Sequence, residues 1–98
     1  MRLTYHPEAE AEIVQAAAYY EKQVQGLGAR FLSDLETAIA RIVDAPQLWP
    51  LVEADVRRCS LRRFPYAVYY RILATGVRVL VVKHHRRHPD YWKKRISE

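Results

Sequence analysis

The sequence predicts an α+β fold in which an N-terminal strand and a helical hairpin pack on an antiparallel β-sheet, followed by a short basic C-terminal tail helix. Two observations predict this fold. Apolar residues recur at helical spacing through residues 7–44, whereas residues 56–83 are rich in the valine, isoleucine and tyrosine that favour strands. Helices grouped together and then strands grouped together are typical of α+β proteins.

The N-terminal half contains the predicted helices. Leu3–Tyr5 is a short candidate strand, and Pro7 suits the first turn of the helix that follows. This helix is predicted over residues 7–24, where apolar side chains recur at three- and four-residue steps. A glycine-containing break leads to a second helix over residues 28–44. Because the link is so short, the two helices should form an antiparallel hairpin.

The C-terminal half contains a predicted three-stranded meander. Residues 46–55 are predicted as a loop with room for a short edge strand, and strands are expected over Val56–Leu61, Pro65–Leu73 and Val77–Lys83. The third of these is almost continuously apolar, so it should be central and covered on both faces. Pro89 suits the start of the tail helix.

The middle strand of the meander has two different faces, because successive side chains of a strand point to opposite sides. The even positions from Tyr66 to Ile72 should face the core, whereas Ala67, Tyr69 and Arg71 should face the other way. We interpret this strand as scaffold on one side and as a surface that presents cations on the other.

Length and composition indicate one globular domain spanning residues 1–98. The one cysteine, Cys59, excludes an internal disulfide and agrees with the reducing cytoplasm, where we expect the protein. No apolar run approaches the roughly 20 residues that a membrane span needs. The N-terminus lacks the apolar region of a signal peptide.

Charge is distributed unevenly along the chain. The formal net charge is +5, but residues 1–49 contain four basic and seven acidic residues, which gives −3. Residues 50–98 contain twelve basic and four acidic residues, which gives +8. This asymmetry indicates a polyanionic partner, either nucleic acid or an acidic protein. The alternative is a solvated cationic face that has no partner.

Two basic segments, 57–63 and 83–95, should converge, because the start of the second meander strand and the end of the third lie at one end of the sheet. Arginine interleaved with tyrosine and tryptophan suits RNA, since guanidinium groups hold phosphates and aromatic rings stack on bases. RNA cleavage also needs groups that move protons. The candidates for that role are His84, His85, His88 and Tyr91.

Several of these residues also have plainer roles. The histidines are not spaced as metal ligands, because adjacent histidines at a strand end point in opposite directions, and no metal or other cofactor is expected. Trp49 and Trp92 are more typical of packing anchors than of base stacking. The early glutamates Glu8, Glu10 and Glu12 suit a helix N-terminus better than acid–base catalysis.

Three motifs resemble the RelE/ParE superfamily of type II toxin–antitoxin toxins. They are Arg62-Arg63-Phe64-Pro65-Tyr66 with Tyr70-Arg71-Ile72, then Val79-Leu80-Val81-Val82, then His85-Arg86-Arg87-His88-Pro89 with Tyr91-Trp92. The N-terminal Tyr5-His6-Pro7-Glu8 before a helical hairpin looks like the ParE-like plasmid-stabilisation branch. The resemblance covers essentially the whole chain. It implies a small toxin that an acidic antitoxin, encoded beside it, holds inactive.

The resemblance implies one of two activities. RelE-like members cleave mRNA on the ribosome without a metal, using basic residues and a C-terminal tyrosine or histidine, whereas ParE-like members inhibit DNA gyrase. Carried over by position, the tail tyrosine falls on Tyr91 and the basic position six residues before it falls on His85. A basic residue on the first meander strand falls on Arg58.

Two basic positions of the RelE-like pattern are replaced in this chain. Ala67 stands where an arginine of the middle strand is expected, and Ser60 stands at a second basic position. Arg71 shares the face of Ala67 but lies about 13 Å farther along the strand, which is too far to replace the missing arginine.

Two classes of function follow. The first is a toxin, for which we favour ribosome-dependent mRNA cleavage by a metal-independent endoribonuclease (an mRNA interferase), with gyrase inhibition as the alternative. The second is a non-catalytic module whose basic face docks nucleic acid or an acidic protein. The predicted catalytic residues are His85, Tyr91, Arg58 and Arg63. The predicted nucleic-acid-binding residues are Arg62, Arg71, Lys83, Arg86, Arg87, Lys93 and Lys94.

Overall fold

The structure, a computed structural model, describes residues 2–98, and they fold as two helices on one face of a five-stranded sheet. The strands are β1 (Arg2–Tyr5), β2 (Leu51–Glu53), β3 (Val56–Ser60), β4 (Tyr66–Leu73) and β5 (Gly76–His84). The helices are α1 (Pro7–Gln23) and α2 (Leu27–Asp44), and a 3₁₀ turn covers Lys93–Ser97. The predicted α+β fold is confirmed, including the short edge strand β2.

The two helices form the predicted hairpin. The imidazole of His6 accepts a hydrogen bond from the backbone N–H of Glu8 at 3.1 Å and so caps the first turn of α1. The helices approach closely at Gly28, where a side-chain carbon would lie 2.7 Å from the carbonyl oxygen of Ala17. Glycine therefore lets the helices pack directly against each other. In the described part of the chain, no helix combines the length and apolar character needed to cross a membrane.

The sheet has the strand order β1-β5-β4-β3-β2. Strands β2 to β5 form an antiparallel meander, as predicted, and β1 adds to β5 in parallel, with Leu3 opposite Val77. A register shift opposite Tyr69 and Tyr70 forms a β-bulge on β5, and this bulge places both Leu80 and Val81 on the side away from the helices.

Both faces of the sheet are covered. The face under the helices, named here the helix face, holds the larger core, in which the Phe31 ring packs against the rings of Tyr20, Phe64 and Tyr66. The opposite face, named the tail face, is covered by the chain after β5. Its buried cluster consists of Val56, Ala67, Tyr69, Leu80, Val81 and Trp92. Strand β5 contributes to both clusters, which confirms that it is central and covered on both sides.

The tail becomes helical later than Pro89. Residues 89–92 form turns, and the 3₁₀ turn begins at Lys93. The turns carry Trp92 onto the tail face, where its ring centroid lies 5.1 Å from that of Tyr69. Burying a large indole outweighs the hydrogen bonds of one more helical turn. Trp92 is thus a packing anchor, as predicted.

Candidate functional site

The end of the sheet brings an arginine, a lysine and a histidine together on the tail face. The backbone N–H of His85 donates to the carbonyl of Pro65 at 2.9 Å, so the pairing of β4 with β5 continues to this end of the sheet. Lys83 lies opposite Ala67, and Arg58 lies opposite Tyr69. Because Ala67 and Tyr69 both face the tail, Lys83 and Arg58 do too. We name Arg58, Lys83 and His85 the sheet-end cluster.

The sheet-end cluster has no compensating carboxylate: none of the ion pairs found among residues 2–98 includes Arg58, Lys83 or His85. Lys83 is only 5% exposed, and its ammonium donates to the carbonyl of His84 at 3.0 Å. Burial, and then the charges of Arg58 and Arg87, lower the pKa of Lys83.

His85 lies on the surface beside these cations. Partial burial, and then neighbouring positive groups that include Lys83 and Arg58, lower the pKa of the His85 imidazole. The ring is therefore largely unprotonated at neutral pH and able to accept a proton. Together the cluster provides two basic side chains that can hold a phosphate, Arg58 and Lys83, and one base, His85, which is chemistry that suits a phosphodiester.

Tyr91 does not join this cluster. Its hydroxyl donates to the carboxylate of Glu12 on α1, and the guanidinium carbon of Arg87 lies 3.7 Å from its ring centroid. Burial, and then the hydrogen bond and charge of Glu12, raise the pKa of Tyr91. The hydroxyl is engaged and holds its proton tightly, so it is poorly suited to act as the acid of a cleavage reaction.

Glu12 connects the tail to the sheet, a role that the expectation of a helix-capping glutamate missed. Its carboxylate, 8% exposed, accepts from the backbone N–H of Val82 at 3.0 Å and from the Arg95 guanidinium at 3.0 and 3.1 Å. Arg95 also donates to the carbonyl of Leu80 at 3.0 Å. Strand β1 ends opposite Val79, so it does not pair with the rest of β5. The side chains of Glu12 and Arg95 instead satisfy the backbone N–H of Val82 and the backbone carbonyl of Leu80.

One signal in the sequence could have identified Glu12. It lies three residues after Ala9 and four before Ala16, on the buried stripe of α1. A carboxylate on the apolar face of a helix needs a buried partner, because burying an unpaired charge is costly. The tail supplies that partner as Arg95.

Arg62 and Arg63 lie elsewhere. The loop between β3 and β4 packs on α2, where the Asp34 carboxylate accepts from the backbone N–H of Arg63 at 2.8 Å and of Phe64 at 3.0 Å. Both arginine side chains line a cavity of about 680 Å³ beside α2. The predicted convergence of Arg63 with Arg58 and His85 is therefore not found, because the loop turns towards the helices while Arg58 faces the tail.

Several predicted nucleic-acid-binding cations already have acidic partners. The Arg71 guanidinium binds both carboxylate oxygens of Asp55, at 3.1 and 2.8 Å, and it also donates to the carbonyl of Ile96 at 2.9 Å. Lys93 lies 3.4 Å from Glu53 and 3.0 Å from Asp90. Arg87 lies 3.4 Å from Glu12. Arg86 and Lys94 are exposed.

A group with metal-ligand chemistry lies at the chain's two ends. The imidazole of His6 and the carboxylates of Glu8 and Glu98 place one ligand atom each within 4.8 Å of one another. The Nε2 atom of His6 lies 2.7 Å from Glu98, and the Arg95 guanidinium lies 3.6 Å from Glu8. Because Arg95 already provides the positive charge here, we assign no metal to this group.

The fold and the basic C-terminal half agree with the expected RelE/ParE type of protein. The chain belongs to the ParE toxin family, since the family model described as the ParE toxin of type II toxin-antitoxin system, parDE, matches residues 3–89. Among solved structures, it is similar to a chain of the chromosomal ParDE TA system from P. aeruginosa, with a TM-score of 0.64 and 17% identity. That match covers 86% of this chain and 95% of the other. No curated protein sequence matches this chain.

Proposed function

We propose that the chain is the toxin of a ParDE-type pair, held inactive by an acidic antitoxin, and that the free toxin arrests growth by binding DNA gyrase. Membership of the ParE toxin family supports the toxin–antitoxin pair. The positively charged C-terminal half suits an acidic protein partner. Gyrase is the target that the ParE-like branch of the resemblance implies, and it lies in the cytoplasm.

The state of Tyr91 favours gyrase binding over RNA cleavage. Its hydroxyl is bound to a buried carboxylate, so Tyr91 is not free to act as the acid beside the sheet-end cluster. The four predicted catalytic residues are divided among three places, with Arg63 beside α2 and Tyr91 at the β5 edge. A general acid must reach the leaving oxygen in the same pose that engages the base. This arrangement supports a toxin that occupies a target surface.

A pair of assays on one preparation tests the choice of target. We expect the purified protein to block supercoiling of relaxed plasmid by gyrase and to leave ribosome-bound mRNA intact. Premixing with the product of the neighbouring acidic reading frame should restore supercoiling. Cleaved mRNA together with unimpaired gyrase would contradict the proposed target.

Growth assays test the toxin–antitoxin pair separately. Expression of the chain alone should arrest growth, and co-expression of the neighbouring reading frame should restore it through a complex that co-purifies. Normal growth together with no complex would overturn the toxin–antitoxin proposal.

Ribosome-dependent mRNA cleavage is the second candidate, and the sheet-end cluster favours it. Lys83, directly opposite Ala67, supplies a cation on the face where the missing arginine would project. With Arg58 it is suited to hold a phosphate, and His85 is suited to accept the 2′-hydroxyl proton. On this hypothesis, His85→Ala abolishes cleavage and growth arrest but leaves antitoxin binding intact, whereas the exposed Lys22→Ala changes neither. Toxicity that survives His85→Ala would exclude it.

A further inference from the structure

The cavity beside α2, named here the α2 cavity, has the form of a binding site. It lies between α2 and the loop that joins β3 to β4, and its volume is about 680 Å³. Ligand sites on proteins typically measure roughly 300–1,000 Å³. Arg62 and Arg63 line it from the loop, and Arg30 lines it from α2.

Asp34 holds in place the loop that forms one wall of this cavity. Asp34 is 8% exposed, and its carboxylate accepts hydrogen bonds from the backbone N–H groups of Arg63 and Phe64 at 2.8 and 3.0 Å. Because these hydrogen bonds involve backbone groups, the course of the loop does not depend on which side chains stand at positions 62 and 63. The backbone that carries the two arginines is therefore held in place, and the arginine side chains can be substituted without releasing the loop.

The positive charge of the α2 cavity is not balanced inside the protein. None of the ion pairs among residues 2–98 includes Arg30, Arg62 or Arg63. The lining contains one carboxylate, Asp34, whose Oδ2 accepts both backbone hydrogen bonds, and its single negative charge faces three guanidinium groups. Three guanidinium groups therefore surround a cavity that holds one engaged anion, and an acidic ligand complements them.

We infer that the α2 cavity binds the carboxylate side chains of an acidic peptide segment. Building on the proposed function, we assign this segment to the antitoxin. Guanidinium groups bind carboxylates through paired N–H donors, which gives direction as well as attraction. Leu27 and Phe64 add apolar surface to the lining, so aliphatic side chains of the same segment also find contacts.

Nucleic acid is the competing ligand, and the aromatic packing disfavours it. The Phe64 ring packs edge-on against Tyr20 and Phe31, with ring centroids 4.8 and 5.5 Å apart. Phe64 is therefore packed into the helix-face core, only part of its side chain reaches the α2 cavity, and no other residue of the lining supplies an aromatic stacking face. Sites for single-stranded nucleic acid combine cations with such stacking faces.

A matched pair of double variants tests this inference. Arg30→Gln/Arg62→Gln removes two charges from the cavity, and Arg2→Gln/Lys22→Gln removes two exposed charges elsewhere. The probe is a fluorescein-labelled deca-glutamate peptide at physiological salt, and a labelled oligothymidylate of equal length serves for comparison. We expect the cavity variant to weaken peptide binding about tenfold or more and the control to weaken it less than about twofold.

Three results would overturn the inference: no binding of the peptide to the wild-type chain, equal weakening in both double variants, or a selective loss of oligothymidylate binding in the cavity variant. Growth assays separate this inference from the proposed function. Arg30→Gln alone, which changes a lining residue assigned to no other site, should still arrest growth, but it should resist rescue by the neighbouring reading frame. If the wild-type chain binds the peptide but never arrests growth, the assignment of the segment to an antitoxin is wrong. The inference that the α2 cavity binds an acidic peptide would still hold.

Discussion

On the helix face, large apolar and aromatic side chains from α1, α2, β4 and β5 pack into one core, whereas on the tail face a smaller apolar cluster is closed by a single stretch of chain. That stretch is held by polar anchors: Arg95 and Tyr91 bind Glu12, and the carbonyl of Ile96 binds Arg71. The helix face is therefore stabilised chiefly by burial of apolar area. The tail face depends in addition on a few buried charges that must all find partners.

The cations of the molecule fall into two groups, according to whether a carboxylate binds them. Cations near the tail, such as Arg71 and Arg95, are bound by carboxylates and keep the tail in place. The cations of the sheet-end cluster and of the α2 cavity have no such partners among residues 2–98. Basic residues that look alike in the sequence therefore have two different roles. Some hold the tail in place, and others remain available for ligands.

Truncation of the helix-face core should have the largest effect. Phe31→Ala removes a fully buried ring and its three aromatic contacts, so we expect a loss of about 4 kcal/mol in the free energy of unfolding, measured by urea denaturation. The adjacent Leu32→Ala is the control, because Leu32 is exposed and should cost less than about 1 kcal/mol. Similar losses for the two variants would contradict the assignment of Phe31 to the centre of the helix-face core.

Removal of the Glu12 charge should come next. Glu12→Gln leaves the buried Arg95 with only the more distant, exposed carboxylate of Glu8, which should cost about 3 kcal/mol and speed amide hydrogen exchange in residues 91–97. Glu10→Gln, exposed on the same helix, is the control. A second change, Arg95→Met, should recover much of the loss, because replacing both members of a buried ion pair is often tolerated. A further loss in the double variant would show that the ion pair is not the anchor.

The Arg71 anchor should have a smaller effect. Arg71→Gln removes the hydrogen bond to the Ile96 carbonyl and the paired contact with the exposed Asp55, so we expect a cost of about 1 kcal/mol. This corresponds to a fall in Tm of roughly 4–8 °C for a chain of this size. The exposed Lys94→Gln should leave Tm unchanged. An unaltered Tm in Arg71→Gln would mean that Trp92 packing and the contacts of Glu12 hold the tail without Arg71.

Substitution of Lys83 should have an effect of opposite sign. Its pKa is lowered in the folded chain, so folding disfavours the protonated amine, and Lys83→Met should raise the free energy of unfolding by up to about 1 kcal/mol at neutral pH. The gain should be complete below the lowered pKa and disappear as pH rises past the ordinary value of 10.5, where the amine is neutral in both states.

The matched control for this prediction is Lys22→Met, which changes an exposed amine and should leave stability unaltered at every pH. A destabilised Lys83→Met variant would contradict the prediction, because it would mean that the ammonium contributes favourable contacts to the folded chain. A stabilised variant would sharpen the contrast between Lys83 and the paired cations of the tail.

Much of the fold could be predicted from short-range patterns. The helices were predicted at 7–24 and 28–44 and lie at Pro7–Gln23 and Leu27–Asp44. The alternation of two faces along β4 was also predicted, and Val68 and Tyr70 indeed lie in the helix-face core. The second face was wrongly expected to be a surface that presents cations, because Ala67 and Tyr69 are buried in the tail-face cluster under Trp92. Less of the candidate site could be predicted. Arg58, Lys83 and His85 meet as the meander requires, but Arg63 does not, because a loop can turn to either side of a sheet without any change in its local sequence.

The sequence by itself determined the secondary structure, the family and the concentration of positive charge in the C-terminal half, because these follow from residues that are close together along the chain. Only the tertiary structure decided that β1 pairs in parallel with β5, that Glu12 binds Arg95, and that the Tyr91 hydroxyl donates to Glu12. Glu12 and Arg95 are 83 residues apart, and neither has a local signature that names the other. The partner of a buried charge becomes known only when the fold brings the two residues together. Such pairing distinguishes the cations that hold the tail from the cations that remain available for ligands.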